Sequence, residues 1–390
     1  MSEGPWSRFT GTKLRFELTK VERFIMSLGS AALVSTEGKP LGDVTVLDLS
    51  SRGRRYCGRL MAHLGATVVL PTGSSDDDRV STLMASGEAV VPTRLDESTR
   101  AELLADVDVL ITDAGPAALW SRGLHPSQLG GFPRLVHVSI SPFGLTGPWA
   151  DRPSTDLTLL AAGGLLALCG DADRPPVRPY GEQSAVAACV HAATATMIAL
   201  LARDDDGVGQ LVDVSVQEAV AHSIENAAQY YDCEGVVRQR RGAASAEAGS
   251  GLFECGDGYV YLLTSIGGVL LGWDRLVRWL VEDGVAGADR FEESQWSDPV
   301  FRMSEEAIST FVEIFGRYAK TRSKLDLYIR GQAEGVSIAP VSEPADLLAN
   351  EQLSARSYFR AAHVDDGEIL VPGSPFRIAV AAATGAEEAR

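Results

Sequence analysis

From Val44 the chain alternates short apolar runs with helix-like segments, and this rhythm restricts the fold more than any other feature. "VTVLDLS" reads as a buried strand. "RYCGRLMAHLG" follows as a helix closed by Gly65, and "ATVVL" as a second strand. "EAVV" is a third strand, "STRAELLAD" a helix and "VDVLITD" a fourth strand. "RLVHVSIS" adds a fifth, ahead of the Gly/Pro loop "PFGLTGPWADRP". Strands and helices at this spacing predict an α/β fold with a parallel sheet covered on both faces. Ligands of such sheets bind at the carboxyl ends of the strands.

Beyond the loop, residues 156–203 read as helical, interrupted by "GDADRPPVRPYG". "GQLVDVSVQEAVAHSIENAAQYY" reads as a strand running into a helix. The Gly/Ala/Ser-rich stretch 238–251 is expected to be an exposed linker. "GLFECGDGYVYLLTS" is expected to be a hairpin turning at Gly256-Asp257-Gly258. Helices follow to about residue 332, and the last residues read as a frayed tail. A length of 390 residues suits two domains.

Composition removes several classes of function. A net charge of -17 opposes a nucleic-acid partner. The five cysteines are scattered without a CxxC pair, and the six histidines show no HxxxH or HExxH spacing. The expectation is reduced thiols in a cytoplasm and no metal site. The turn after the first strand, "SSRGRRYCG", is not GxGxxG, and no GxxxxGK[ST] loop is present, so nothing supports a dinucleotide or a P-loop. The N-terminal stretch mixes charges throughout, unlike a signal peptide. The apolar run from Ser184 to Leu201 is alanine-rich and contains His191, which favours a buried helix over a membrane span.

The segments "GDVTVLDLS", "HLGATVV", "PRLVHVSISPFGLTGPWADRP", "DLTLLAAGGLLALCGDADRPPVRP", "LLARDDDGVGQLVDVSVQEAV", "FECGDGYVYL" and "GVSIAPVSEPADLLANEQLSARSYF" occur in an informative order. Together they resemble family III CoA-transferases, the group that includes formyl-CoA and carnitine CoA-transferases and alpha-methylacyl-CoA racemases. The likeness runs from about Gly42 to Ala379. It implies a Rossmann-like parallel-sheet large domain plus a smaller α+β domain, in an interlocked dimer. The expected segments are an N-terminal extension (1–41), a large domain (42–225), a linker and small domain (226–332), and a return to the large domain (333–390). A coenzyme A thioester is the implied substrate, and a homodimer or a heterodimer with an active homologue the implied assembly.

In the resembled transferases an aspartate attacks the thioester carbon. Counting forward from Pro176 and backward from Arg203, that position falls on Ala185. No acidic residue lies between Gln183 and Arg203. The nearest upstream acid is Glu182, ~5 Å from Ala185 along a helix axis. It is either a substitute carboxylate or a solvated helix-start residue. The racemase branch adds a histidine as a second proton carrier, and its place holds Thr155. The neighbouring Asp156 matches the family pattern, as a catalytic group or as a residue bonding helix-start amides.

Nucleotide framing is also altered. The second strand ends "VVLPTG" where the family has Lys-x-Glu, a later Lys position is Glu88, and "DAGPA" (113–117) replaces Asn-Phe-Arg-Pro-Gly. Arg52, Arg54 and Arg55 are new charges, suited either to phosphate or to a solvated turn. Gly144 and Gly147 of "PFGLTGPW" and Gly267 and Gly268 of "SIGG" permit close backbone approach to a ligand. Three readings follow: CoA transfer between carboxylates through a non-standard site, a non-catalytic partner of an active homologue, or proton chemistry beside a thioester.

Overall fold

The computed structural model describes residues 39–71, 90–93, 97–242, 245–364 and 367–378. Most of the expected extension, Glu88 and the tail from 379 lie outside the described residues, as does the side chain of Arg52. The chain divides into two compact units. The first gathers the described residues up to Gly163, then Tyr180–Ser223 and those from Ser357 onward. The second comprises Gly164–Pro179 and Ile224–Arg356.

In the first unit the elements are β1 (Thr45–Asp48), α1 (Tyr56–His63), β2 (Thr67–Pro71), β3 (Val90–Thr93), α2 (Glu97–Leu104), β4 (Val109–Thr112), α3 (Pro116–Ser121), β5 (Val136–Ser141), α4 (Asp156–Ala162), α5 (Gln183–Asp206), β6 (Leu211–Ser215) and α6 (Val216–His222). The six strands form one sheet in the order β3-β2-β1-β4-β5-β6, and every pairing is parallel. The chain steps outward through β2 and β3, then returns to lay β4 against β1, with Val46 opposite Val109 and Leu47 opposite Leu110. The direction of winding therefore reverses between β1 and β4. In sheets of this order the reversal opens a crevice at the carboxyl ends of the two strands.

The central strands β1, β4 and β5 are buried on both sides because both sides are covered. Val46, Val68, Ile111 and Val138 pack with Met61 of α1 and with Ala188 and Ala192 of α5. Leu47, Val69 and Leu110 pack on the opposite face with Leu103 and Leu104 of α2 and Leu119 of α3. Helix α5 is long and apolar enough to cross a membrane by length and composition alone. Its fully buried Ala188, Cys189 and Ala192 nevertheless belong to the core cluster of the sheet, which is the position of a core helix. It stops at Gly207, whose φ of 77° is a left-handed cap.

The second unit contains α7 (Glu225–Glu234), β7 (Ser250–Cys255), β8 (Gly258–Leu263), β9 (Ser265–Ile266), β10 (Val269–Leu270), α8 (Trp273–Glu282), α9 (Glu305–Ala319), α10 (Lys324–Glu334) and β11 (Ile338–Pro340). Strands β7 and β8 form the expected hairpin, and β11 adds antiparallel to β8. The core is aromatic: Trp273 stacks on Trp296 at 5.5 Å, and Phe311 on Phe315 at 5.5 Å.

Two boundaries differ from the sequence reading. The return to the first unit comes at Ser357 and not at 333, because β11 completes the sheet of the second unit. Residues 164–179 also belong to the second unit. Arg240 holds them there, its guanidinium donating to the carbonyls of Asp171 at 2.9 Å and Arg174 at 2.7 Å. Nor is 238–251 exposed throughout, since Glu247, Ala248 and Ser250 are buried at the start of β7. The first unit closes with the antiparallel hairpin β12 (Phe359–Val364) and β13 (Gly367–Pro372), whose last carbonyl accepts a hydrogen bond from Arg59 of α1.

Candidate functional site

The crevice at the winding reversal begins with Asp48, the last residue of β1. Its carboxylate is fully buried. Oδ1 accepts the Ser50 N–H at 2.9 Å and the Ser50 hydroxyl at 2.5 Å, while Oδ2 has no hydrogen-bond partner. Burial pushes the Asp48 carboxyl from 3.8 up to about 6, against the Ser50 hydrogen bonds and the nearby Arg55 charge. Gly58 leaves room for this group, since a Cβ there would collide with Oδ2. After Ser51 the chain makes a short 3-10 turn at Arg52–Arg54.

That turn is tied across the crevice to the end of β4. Asp113 Oδ2 accepts the Ser51 N–H at 2.7 Å and faces Arg54 Nη1 at 3.5 Å. The same Arg54 nitrogen donates to the Asp113 carbonyl at 2.9 Å. Arg55 is buried, with Nε near the Ser50 carbonyl at 3.5 Å. Of the arginine cluster, then, Arg54 is ion-paired and Arg55 is turned into the loop.

Helix α5 brings its N-terminus to this loop. Glu182 is the N-cap residue, yet its side chain caps no amide. Its carboxylate instead rests against Gly53, where a Cβ would displace it. Ala185 is the third residue of the helix and only 7% exposed. Ser184 is fixed to Asp156: its N–H donates to Asp156 Oδ1 at 3.0 Å and its hydroxyl at 2.7 Å. An acid at a helix start satisfies an orphan amide and opposes the helix dipole. Thr155 caps α4 in a reciprocal pair with Thr158, accepting that residue's N–H at 3.3 Å.

One turn further along α5, Cys189 reaches the start of α1. Its S–H donates to the Arg54 carbonyl at 3.2 Å. Burial pushes this thiol up to about 12, so it stays protonated and un-nucleophilic.

The glycine loops are built differently. Gly144 and Gly147 have φ of 85° and 94°, a region that favours glycine. Between them the Leu145 N–H donates to the Asp213 carboxylate of β6 at 3.0 Å. In the second unit, Gly267 and Gly268 (φ 58° and 85°) form the two-residue turn of the β9–β10 hairpin. Glu247, only 3% exposed, accepts the Ser265 hydroxyl at 2.5 Å and the Gly268 N–H at 3.3 Å. Arg302 donates to the Gly268 carbonyl at 2.9 Å.

Sequence reasoning passed over Asp48, Gly53, Asp113 and Glu247. A signal existed for the two aspartates, since both stand at the carboxyl ends of predicted strands. Among the described residues no group of three His, Cys, Asp or Glu side chains could hold a metal.

The sequence profile of CoA-transferase family III matches residues 93–389. The chain belongs to CoA-transferase family III. A family relative from Thauera aromatica, succinyl-CoA:(R)-benzylsuccinate CoA-transferase subunit BbsE, is 40% identical over 70% of this chain and 67% of its own length. Succinyl-CoA–D-citramalate CoA-transferase of Chloroflexus aurantiacus is 30% identical over 52% of this chain and 56% of its own length. A CAIB/BAIF family protein from Brucella suis has the same fold, with a TM-score of 0.75 at 22% identity over 87% of this chain and 93% of that one. The described geometry presents a methyl group at residue 185, with the Asp156 carboxylate bonded to the preceding Ser184 and the Glu182 carboxylate resting against Gly53.

Proposed function

We propose that this chain is one subunit of a two-chain CoA-transferase that moves CoA from succinyl-CoA to a dicarboxylate, and that the partner chain supplies the thioester-attacking carboxylate. The observation that carries the reading is Ala185. A buried methyl stands where the family's pattern has a nucleophile, and an alanine side chain cannot form an acyl anhydride. The relative at 40% identity is itself named a subunit, and relatives from Chloroflexus aurantiacus are named as alpha and beta subunits of a succinyl-CoA–L-malate CoA-transferase. The acceptors in these names, benzylsuccinate, citramalate and malate, are all dicarboxylates.

The outer face of α5 also supports pairing. Val186, Val190, Met197, Ile198 and Leu201 are exposed along it, Leu201 at 68%, and no Asp, Glu, Lys or Arg interrupts the run from Gln183 to Ala202. Such a face suits burial against a second family III chain.

The test is co-expression with a family III homologue that carries the aspartate. The expected outcome is a hetero-complex that exchanges CoA between succinyl-CoA and benzylsuccinate, while this chain alone shows no exchange and no hydroxylamine-trapped acyl group. Turnover by this chain alone defeats the reading. It would favour a second one, in which Glu182, seated on Gly53, is the working carboxylate. Loss of that turnover in Glu182→Gln identifies the second reading.

A further inference from the structure

We propose that Asp113 is an internal ligand: its carboxylate occupies an anion seat at the winding reversal and keeps the phosphates of CoA out of it. The inference rests on the subunit reading and extends it from the missing nucleophile to the nucleotide.

The seat's donors come from the turn after β1, and its occupant comes from the end of β4. The turn after β1 contributes the Ser51 N–H and the Arg54 guanidinium, and the end of β4 contributes Asp113 itself. A backbone N–H beside a guanidinium is the donor set that binds a phosphate oxygen, and its place at the carboxyl ends of β1 and β4 is where a sheet of this order meets its ligand. Here both donors converge on Asp113 Oδ2, at 2.7 and 3.5 Å. The Arg54 and Asp113 side chains are 16% and 11% exposed, so bulk water screens their interaction weakly. Arg54 is held a second time through the Asp113 carbonyl.

The Arg54 carbonyl just before α1 is taken up by the Cys189 S–H at 3.2 Å. An incoming phosphate would have to displace an attached carboxylate and face its negative charge. Residue 113 thus acts as a specificity determinant that turns away phosphate-bearing ligands.

The experiment is a calorimetric titration of the full chain and its Asp113→Asn variant with CoA and, separately, with inorganic phosphate. Asparagine keeps an acceptor for the Ser51 N–H and removes the charge. The expected result is CoA binding tighter by about tenfold or more, at the low end of what one charge is worth at about 4 Å. Arg54→Ala added to Asp113→Asn should abolish the gain. Arg54→Ala in the native background should leave the weak affinity unchanged, because that guanidinium is already committed. A gain with phosphate as well as with CoA also supports the seat. No gain with either ligand in a variant of unchanged melting temperature overturns the proposal. So does a tenfold loss of CoA affinity on Arg54→Ala alone, a measurement that stands even where the Asn variant does not fold. Co-purification with a homologue reads the subunit proposal independently of either result.

Discussion

Replacing Asp48 with asparagine tests the electrostatics of the crevice floor. The folded carboxyl titrates near 6 and its ordinary value is 3.8, so folding favours the protonated form. The sign follows by linkage. The native state binds more protons than the unfolded chain between these two values, so the group's contribution is full below 3.8 and is lost as pH rises through about 6. At pH 7.5 the ionised carboxylate therefore costs about 3 kcal/mol, taking about 1.4 kcal/mol for each of roughly two pH units. Asparagine carries no charge and keeps the oxygen that Ser50 bonds. Asp48→Asn should thus stabilise the chain at pH 7.5 by ~1–3 kcal/mol, the lower figure allowing for an amide nitrogen left without an acceptor. The advantage should vanish at pH 4. A single-variant pH profile would not isolate this effect. Burial lowers His137 and His63 to about 4, and those groups make stability rise with pH between about 4 and 6.5, opposing Asp48. The informative quantity is the difference between native and variant urea midpoints at each pH. A difference that is the same at pH 4 and pH 7.5 refutes the assignment of a buried, charge-destabilised carboxylate.

Two further substitutions probe neighbouring contacts. Gly58→Ala drives a methyl into the buried Asp48 carboxylate and to 3.4 Å from Val68, so it should cost ~1–3 kcal/mol in thermal unfolding; an unchanged melting temperature would show that α1 is not packed this tightly on β1. Glu247→Ala strips the acceptor from Ser265 and Gly268 and should cost ~1–3 kcal/mol while speeding amide exchange at Gly268; unaltered exchange there would mean that the hairpin is held by other contacts.

The parallel sheet was legible because its central strands are short runs rich in Val, Ile and Leu, buried on both sides and bounded by turn residues. The β7–β8 turn was legible because Gly256 and Asp257 punctuate an otherwise apolar sequence. At the candidate site the sequence named Glu182 and Ala185 at the start of α5 and Asp156 at the start of α4, but not the contacts they make. Arg54 and Asp113 meet across 59 residues, and their pairing depends on the return that sets β4 beside β1. No local pattern records that return. Glu247 sits among small residues that resemble an exposed linker, and its burial follows from Ser265 and Gly268 coming to it through the hairpin fold. The boundary near 333 failed for a similar reason, since β11 is three residues long and is a strand only because β8 offers it an edge.

The bond between Ser184 and Asp156 makes no use of the side chain that follows it. Position 185 sits in the first turn of a helix whose start is already anchored by the preceding residue. A helix start organised in this way leaves the side chain at 185 free to vary without loss of its anchor. The anchoring of the helix and the identity of residue 185 are then separable features of the same scaffold.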